Sequence, residues 1–331
     1  RACTILGLTN GTAYTVTVTA TNATGTSVAS APSAATTPTG RARLPRAASW
    51  GLDRLDQRNL PLDGVMDSNA SAATALGGAG VTAYVIDTGV RSDHEQFTGR
   101  VRSGFVSVNQ GQDDGNGTED CNGHGTHVSG TIGGADYGVA PEVGIVPVRV
   151  LNCGGSGYTS DVIAGLNWVA ANHQAGALAV ANMSLGGGYS AAINAAVQGV
   201  IDDGVTVVVA AGNSGDDACN ASPASTPAAI TVGATDQSDQ RASFSNYGSC
   251  VDLFAPGVDI VSADAASPVA TAMHSGTSMA SPHVAGAVAL QLAATRSTST
   301  DVTAATITTM ASRNRVGDAG PGSPNRLLYI G

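Results

Sequence analysis

His274-Ser-Gly-Thr-Ser-Met-Ala-Ser-Pro-His-Val-Ala-Gly286 is the stretch whose reading decides the fold. Gly276 and Thr277 lead into Ser278, after which almost every residue is small or apolar. Ala285, Val288, Ala289 and Leu292 fall at i, i+3, i+4 and i+7, the spacing of a helical face that packs inward. Ser278 therefore stands at or near the start of a core helix. A hydroxyl there lies among backbone N–H groups that have no helical partner and at the positive end of the helix dipole, where an oxyanion forming beside it is stabilised. Pro282 is tolerated so early in the helix because it removes at most one helical hydrogen bond. Taken alone, Gly-Thr-Ser also reads as an ordinary helix start, so the rest of the chain has to decide.

Upstream, short apolar runs rich in β-formers at 81–86, 144–150, 177–183 and 205–211 alternate with helix-like segments at 160–173 and 190–203. Strands that are apolar throughout and spaced by helices predict an α/β fold in three layers, with a central, mostly parallel sheet covered on both faces. In such sheets ligands sit beyond the carboxyl ends of the strands. Polar residues appear there: Asp87 follows the first run, Asn213 follows the fourth, and His124 lies between glycines in Cys121-Asn-Gly-His-Gly-Thr-His127. The order Asp, His, Ser is one of those found in hydrolase triads. A neutral His124 can take the Ser278 proton and return it to a leaving amine, while Asp87 fixes the tautomer and stabilises the imidazolium. Asn213 can donate a side-chain N–H to an oxyanion together with the Ser278 backbone N–H. Two other readings fail: Cys121, His124 and His127 lack a fourth zinc-ligand motif, and Asp87-Thr88-Gly89 lacks the second copy an aspartic dyad needs.

The chain of 331 residues carries a formal charge of −10, and all 15 of its basic residues are arginine. No basic run offers phosphates a landing surface, so no nucleic-acid partner is expected, and no apolar run reaches membrane-spanning length. The chain opens on Arg1 without a signal peptide and reads as a piece of something longer. Four of its five cysteines, Cys121, Cys153, Cys219 and Cys250, allow two bridges and suggest an oxidising compartment, with three pairings open on sequence alone. Cys3 is the expected odd thiol. Residues 5–20 carry a strand signal in which Tyr14, Val16, Val18 and Ala20 alternate with threonines, preceded by an Asn10-Gly11 turn. Residues 31–47, rich in Ala, Thr, Pro and Arg, read as a linker that a protease can cut between Arg41 and Arg46.

Two resemblances follow. Residues 7–22 are similar to the closing strands of a fibronectin type III domain, with Tyr14 placed like its tyrosine corner, which gives a short all-β fragment over 1–38 and a linker over 39–47. Val-Ile-Asp-Thr-Gly at 85–89, Asn-Gly-His-Gly-Thr-His-Val at 122–128, Ala-Ala-Gly-Asn at 210–213 and Gly-Thr-Ser-Met-Ala-Ser-Pro-His-Val-Ala-Gly at 276–286 resemble the motifs of the subtilisin-like serine proteases. The flanking text at 50–58 and 323–329 is similar to the proteinase K branch and its aqualysin group. The resemblance spans 48–331 and implies a secreted, extracellular serine endopeptidase, expected as a monomer, that acts on proteins and peptides with a broad apolar or aromatic preference before the scissile bond. It further implies that Gly155, Ser156 and Gly157 on one side and Ser184, Leu185 and Gly186 on the other bracket an extended substrate. Ala210, Ala211 and Gly212 would wall the apolar pocket. Also implied are bridges Cys121–Cys153 and Cys219–Cys250, and an inhibitory prosegment outside this chain. The resemblance implies structural calcium as well, at the Pro227 and Ala229 carbonyls with the Asp252 carboxylate. A second group, Asp53, Asp56, Gln57 and Asp63, supplies hard oxygen ligands close together in sequence. No catalytic cofactor is expected. The competing reading is a non-catalytic binding protein on the same fold, against which the complete set of catalytic residue types speaks.

Overall fold

In a computed structural model of the chain, residues 12–22, 25–37, 47–66, 71–111 and 114–331 are described. Cys3, the Asn10-Gly11 turn and the Arg41–Arg46 segment lie outside them. The chain divides into two compact units, Arg1–Arg43 and Leu44–Gly331.

In the first unit, Tyr14 and Thr36 exchange N–H···O bonds of 3.0 and 2.8 Å. Ser33, Ser30 and Ser27 then donate their backbone N–H groups to the carbonyls of Val16, Val18 and Ala20. Their hydroxyls accept the N–H groups of the same three residues at 3.0 Å. One side advances two residues per step and the other three, so the regular strand expected over 5–20 is not formed in its described part. A partner that advances by three cannot offer a carbonyl to every second N–H, and serine hydroxyls fill the gaps. Ladder pairing is confined to β1 (Thr21–Asn22) and β2 (Gly25–Thr26).

The second unit begins with α1 (Trp50–Leu55), α2 (Ala72–Leu76), β3 (Thr82–Asp87), β4 (Phe105–Val106), α3 (His124–Gly133) and β5 (Gly144–Arg149). It continues with α4 (Thr159–Asn172), β6 (Ala179–Met183), β7 (Gly187–Gly188), α5 (Ala191–Asp202), β8 (Thr206–Ala210), β9 (Ala221–Ser222) and β10 (Ile230–Thr235). The remainder is β11 (Leu253–Pro256), β12 (Ile260–Ala263), β13 (Thr271–His274), α6 (Thr277–Thr295), α7 (Thr300–Met310), β14 (Ser312–Arg313) and β15 (Arg326–Leu327). The central sheet runs β4-β5-β3-β6-β8-β10-β11-β15-β14, and every pairing is parallel except β14 with β15.

Successive residues of β3 feed opposite cores, as the period of two along a strand requires. Ala83 and Val85 join the core built with α3 and α6, while Tyr84 and Ile86 join the one built with α4 and α5. The second core is lined by Val162, Leu166 and Val169 of α4 and by Ile193, Val197 and Val200 of α5. Each such fully buried side chain contributes about 1.5–3 kcal/mol relative to an exposed one. The subtilisin-like three-layer arrangement is thus present.

Helix α6 departs from the amphipathic expectation. Ala285, Val288, Ala289 and Leu292 are buried as predicted, but so is every residue from Met279 to Leu290. Strands β6, β8, β10 and β11 pack against it from the sheet, and α2, α3 and α7 also contact it, so between Met279 and Leu290 it has no solvent face to make polar.

Candidate active site

Asp87 ends β3 with no exposed surface, and its Oδ1 accepts from the Thr88 N–H at 2.7 Å and from His124 Nδ1 at 2.8 Å. His124 opens α3, its side chain 29% exposed. The helix can start there because Gly125 presses on the turn after β3: a Cβ on Gly125 would lie 2.1 Å from the Gly89 carbonyl. Burial pushes the His124 pKa down, but the charge and hydrogen bond of Asp87, with Asp120 beyond, outweigh it and hold the pKa above its ordinary value.

Ser278 is the second residue of α6. Its hydroxyl donates to the Ser184 carbonyl at 3.0 Å, and no hydrogen bond joins it to the imidazole, although both side chains line one cleft. Ser184 has a second contact here. Pro282 has no N–H to offer the carbonyl four residues back, which is that of Ser278, and the Ser184 hydroxyl donates to that carbonyl at 2.8 Å instead.

Asn213 follows β8. Its Oδ1 accepts from both the backbone N–H and the hydroxyl of Thr277, each at 2.8 Å. With its oxygen fixed in this way, the amide nitrogen is the end left to donate, beside the Ser278 N–H. Thr277 was not singled out from sequence; its place directly before Ser278 was visible, but the direction of its hydroxyl was not. Asn246 was missed as well, although it ties down the loop after Asn213. It donates to the Ala211 carbonyl at 2.9 Å and accepts from the N–H groups of Ser214 and Asp216 at 3.0 and 3.1 Å.

Two cavities meet at Ser278. One, of about 630 Å³, is lined by His124, Gly155, Ser156, Gly157, Ser184, Leu185 and Gly186. The other, of about 400 Å³, is lined by Ala210, Ala211, Gly212, Asn213 and Leu185. Asp216, Asp217 and Asn220 line it too, so it is less apolar than the sequence suggested. The loop that Asn246 anchors brings these polar residues to it.

Both bridges form, Cys121–Cys153 and Cys219–Cys250. The first joins the loop ahead of His124 to the segment before Gly155, and Asn122 reinforces it by donating to the Cys153 carbonyl at 3.0 Å. Arg149 lies beside it, with its guanidinium clasping Asp114 at 2.7 and 2.6 Å and holding that carboxyl down at about 2. His127 is fully buried, with Nε2 3.0 Å from the Ile260 carbonyl; burial and the neighbouring His274 push its pKa down to about 3. His283 is likewise enclosed, and burial pushes it down to about 4.

The groups suited to calcium have hard oxygens in both places. Asp252, Pro227 and Thr226 line a cavity of about 190 Å³ in which the buried Thr226 hydroxyl has no partner. Asp252 takes one N–H, from Thr231 at 2.8 Å, and burial raises its pKa. Ala229, the third residue expected there, is buried nearby in sequence but does not line this cavity. In the second group Gln57 Nε2 lies 2.5 Å from Asp53 Oδ1 and 3.2 Å from Asp63 Oδ1, which draws two carboxylates together. Burial, with Asp63 adding to it, raises the Asp53 pKa. The first set, with its unpartnered Thr226 hydroxyl, fits a hard divalent cation; in the second, the Gln57 amide nitrogen holds the place between the carboxylates that a cation would take.

The profile of the Subtilase family matches residues 78–327. The chain is 55% identical over 282 residues to the extracellular serine proteinase of Thermus sp. (strain Rt41A), covering 85% of this chain and 66% of that protein. It is equally similar, at 55% over 282 residues, to the alkaline serine exoprotease A of Vibrio alginolyticus, covering 85% of this chain and 50% of that one. The chain thus spans about half to two-thirds of the length of these relatives. Among solved structures it is similar to a cold-adapted subtilisin-like serine proteinase, with TM-score 0.79 and 54% identity over 86% of this chain and 98% of that one.

Proposed function

The chain belongs to the subtilase family, and from that premise we propose that it is a secreted serine endopeptidase that hydrolyses peptide bonds in proteins through Asp87, His124 and Ser278. The observation that carries this reading is the meeting, around Ser278 at the start of α6, of a His124 bonded to the buried Asp87 and an asparagine whose amide nitrogen is left to donate.

Ser278 Oγ first leaves the Ser184 carbonyl by rotation about χ1. It then attacks the scissile carbonyl carbon, and its proton passes to His124 Nε2 as the O–C bond forms. Asp87 accepts from Nδ1 throughout, which fixes the tautomer and stabilises the imidazolium. The oxyanion is taken by the Asn213 side-chain N–H and the Ser278 N–H. As the C–N bond breaks, the imidazolium gives its proton to the leaving amine. Water then cleaves the acyl-enzyme by the same relay. The carbonyl of Ser184, once released, and the backbone around Gly155 are available to a substrate laid down as an added strand. The 400 Å³ cavity takes the side chain before the cut, with a broad preference for apolar and aromatic residues.

We propose further that calcium, bound by the Asp252 group and by the group of Asp53, Asp56, Gln57 and Asp63, cross-links chain segments. It supplies no catalytic chemistry. The names of the relatives support secretion, and the paired cysteines agree with an oxidising compartment. The test is Ser278→Ala assayed on casein. A loss of about 10⁶-fold in turnover, the scale known for subtilisin itself, is expected; digestion at the parent's rate sinks the reading.

A further inference from the structure

Asp120 lies outside the catalytic set yet has the densest hydrogen bonding around it. Its Oδ1 accepts from the Thr88 hydroxyl and from the N–H groups of Asn122 and Gly123, all at 2.9 Å. Its Oδ2 accepts from the N–H and the hydroxyl of Thr126 at 2.8 and 2.6 Å. These five donors come from two places. Thr88 follows Asp87 at the end of β3, whereas Asn122, Gly123 and Thr126 surround His124 at the start of α3. Thr88 closes the loop by accepting the Gly125 N–H at 2.9 Å, and Thr126 does likewise by accepting from Arg91 at 3.0 Å.

The Asp87–His124 bond joins two elements that are 37 residues apart in sequence. Helix α3 contributes no capping side chain, since its N-cap is Gly123. Something else has to satisfy the first N–H groups and set the distance between strand end and helix start. A carboxylate suits the place, because anions are stabilised at a helix N-terminus and charge-assisted hydrogen bonds are stronger than neutral ones.

We propose that Asp120 is a positioning residue for catalysis, holding His124 in register with Asp87 through Thr88 and Thr126 and placing a second carboxylate beside the pair. The inference rests on the triad reading above. It accounts for a carboxylate, since five donors reach both of its oxygens and a neutral amide has only one to offer, and Asp120 is among the charges that raise the His124 pKa. The groups facing His124 are Asp87 from β3, Asp120 from the preceding loop, His127 from its own helix and, beside Gly123, Asp264 from the segment after β12.

Two variants of the full chain, kept in calcium, separate geometry from charge. Asp120→Asn keeps the size but loses the charge and turns an amide toward the Thr126 donors. Thr88→Val removes one strut and leaves the carboxylate in place. Each preparation is first titrated with an irreversible serine-directed phosphonate, so that rates are expressed per reactive site. With Asp120→Asn, kcat per site falls about 10- to 100-fold, KM stays within about twofold, and the acid limb of kcat/KM moves to lower pH by roughly half a unit. With Thr88→Val, kcat falls while the limb stays where the parent has it. An unmoved limb in Asp120→Asn overturns the charge role, and an unchanged kcat in both variants overturns the proposal altogether. If Asp120→Asn yields no folded protein, Thr88→Val decides alone by the same kcat criterion. A parent that takes no label overturns the Ser278 reading itself, which is a different outcome from a labelled parent with indifferent variants.

Discussion

His124 is held between opposing influences: enclosure favours the neutral ring, and the carboxylates of Asp87 and Asp120 favour the charged one and prevail. The proposed catalysis uses the neutral form as base, so activity should fall as pH drops through a value above the ordinary histidine figure of about 6.5. Stability runs the other way. The folded state binds the imidazolium more tightly than the unfolded chain does, so this pair's contribution is complete below about 6.5 and fades as pH rises through the raised folded value. We expect the acid limb of kcat/KM to lie above 6.5; a limb below it, or none between about pH 5 and 8, removes His124 as the base. The same dependence on neighbours decides how Ser278 and Asn213 stand. Residue types at these positions were legible from the motifs. The hydroxyl of Thr277, which turns the Asn213 amide, and that of Ser184, which takes the Ser278 carbonyl orphaned by Pro282, were not. Each is a common residue, and its direction is set by packing rather than by sequence pattern.

Elements were read more easily than their partners. The runs at 144–150 and 160–173 match β5 and α4 to within a residue, because alternation of apolar strands with helices leaves a strong local signal. Helix α6 was found from one stripe, although burial on every side leaves it no period to display. In the first unit the two-residue alternation of 14–20 was real but misleading, since the facing chain advances by three. The disulfides make an element-scale prediction. Sequence separations of 32 and 31 imply nearly equal loops, each worth about 3.7 kcal/mol in the chain-entropy account. Replacing either pair by serine should therefore lower the urea midpoint by similar amounts. Cys121→Ser with Cys153→Ser should also raise KM, because that bridge ties the His124 loop to the Gly155 side of the cleft. A KM equal to the parent's in that double variant would show that the tether is not needed for substrate binding.

At the scale of the molecule, the proposed catalytic residues come from β3, α3, the loop after β8 and α6, elements joined by one sheet and two cores, so their alignment depends on the whole second unit. Calcium should act at this scale. A cation present at about 100 times its dissociation constant stabilises the folded state by about 2.7 kcal/mol per site. Chelation should thus lower the thermal midpoint, and Asp252→Asn should abolish about half of the response; a midpoint indifferent to chelator in the parent excludes both calcium groups. The enclosure of α6 has a further consequence for an enzyme surrounded by copies of itself. Segments with few buried contacts open first, and helices packed on all sides open with the whole domain. A peptide bond has to leave its fold before a neighbouring copy can cut it, so the buried run Met279–Leu290 behind the proposed nucleophile should outlast the exposed β13 just ahead of it. Self-digestion should therefore disarm a molecule by a cut ahead of Ser278 while the helix behind it is still whole.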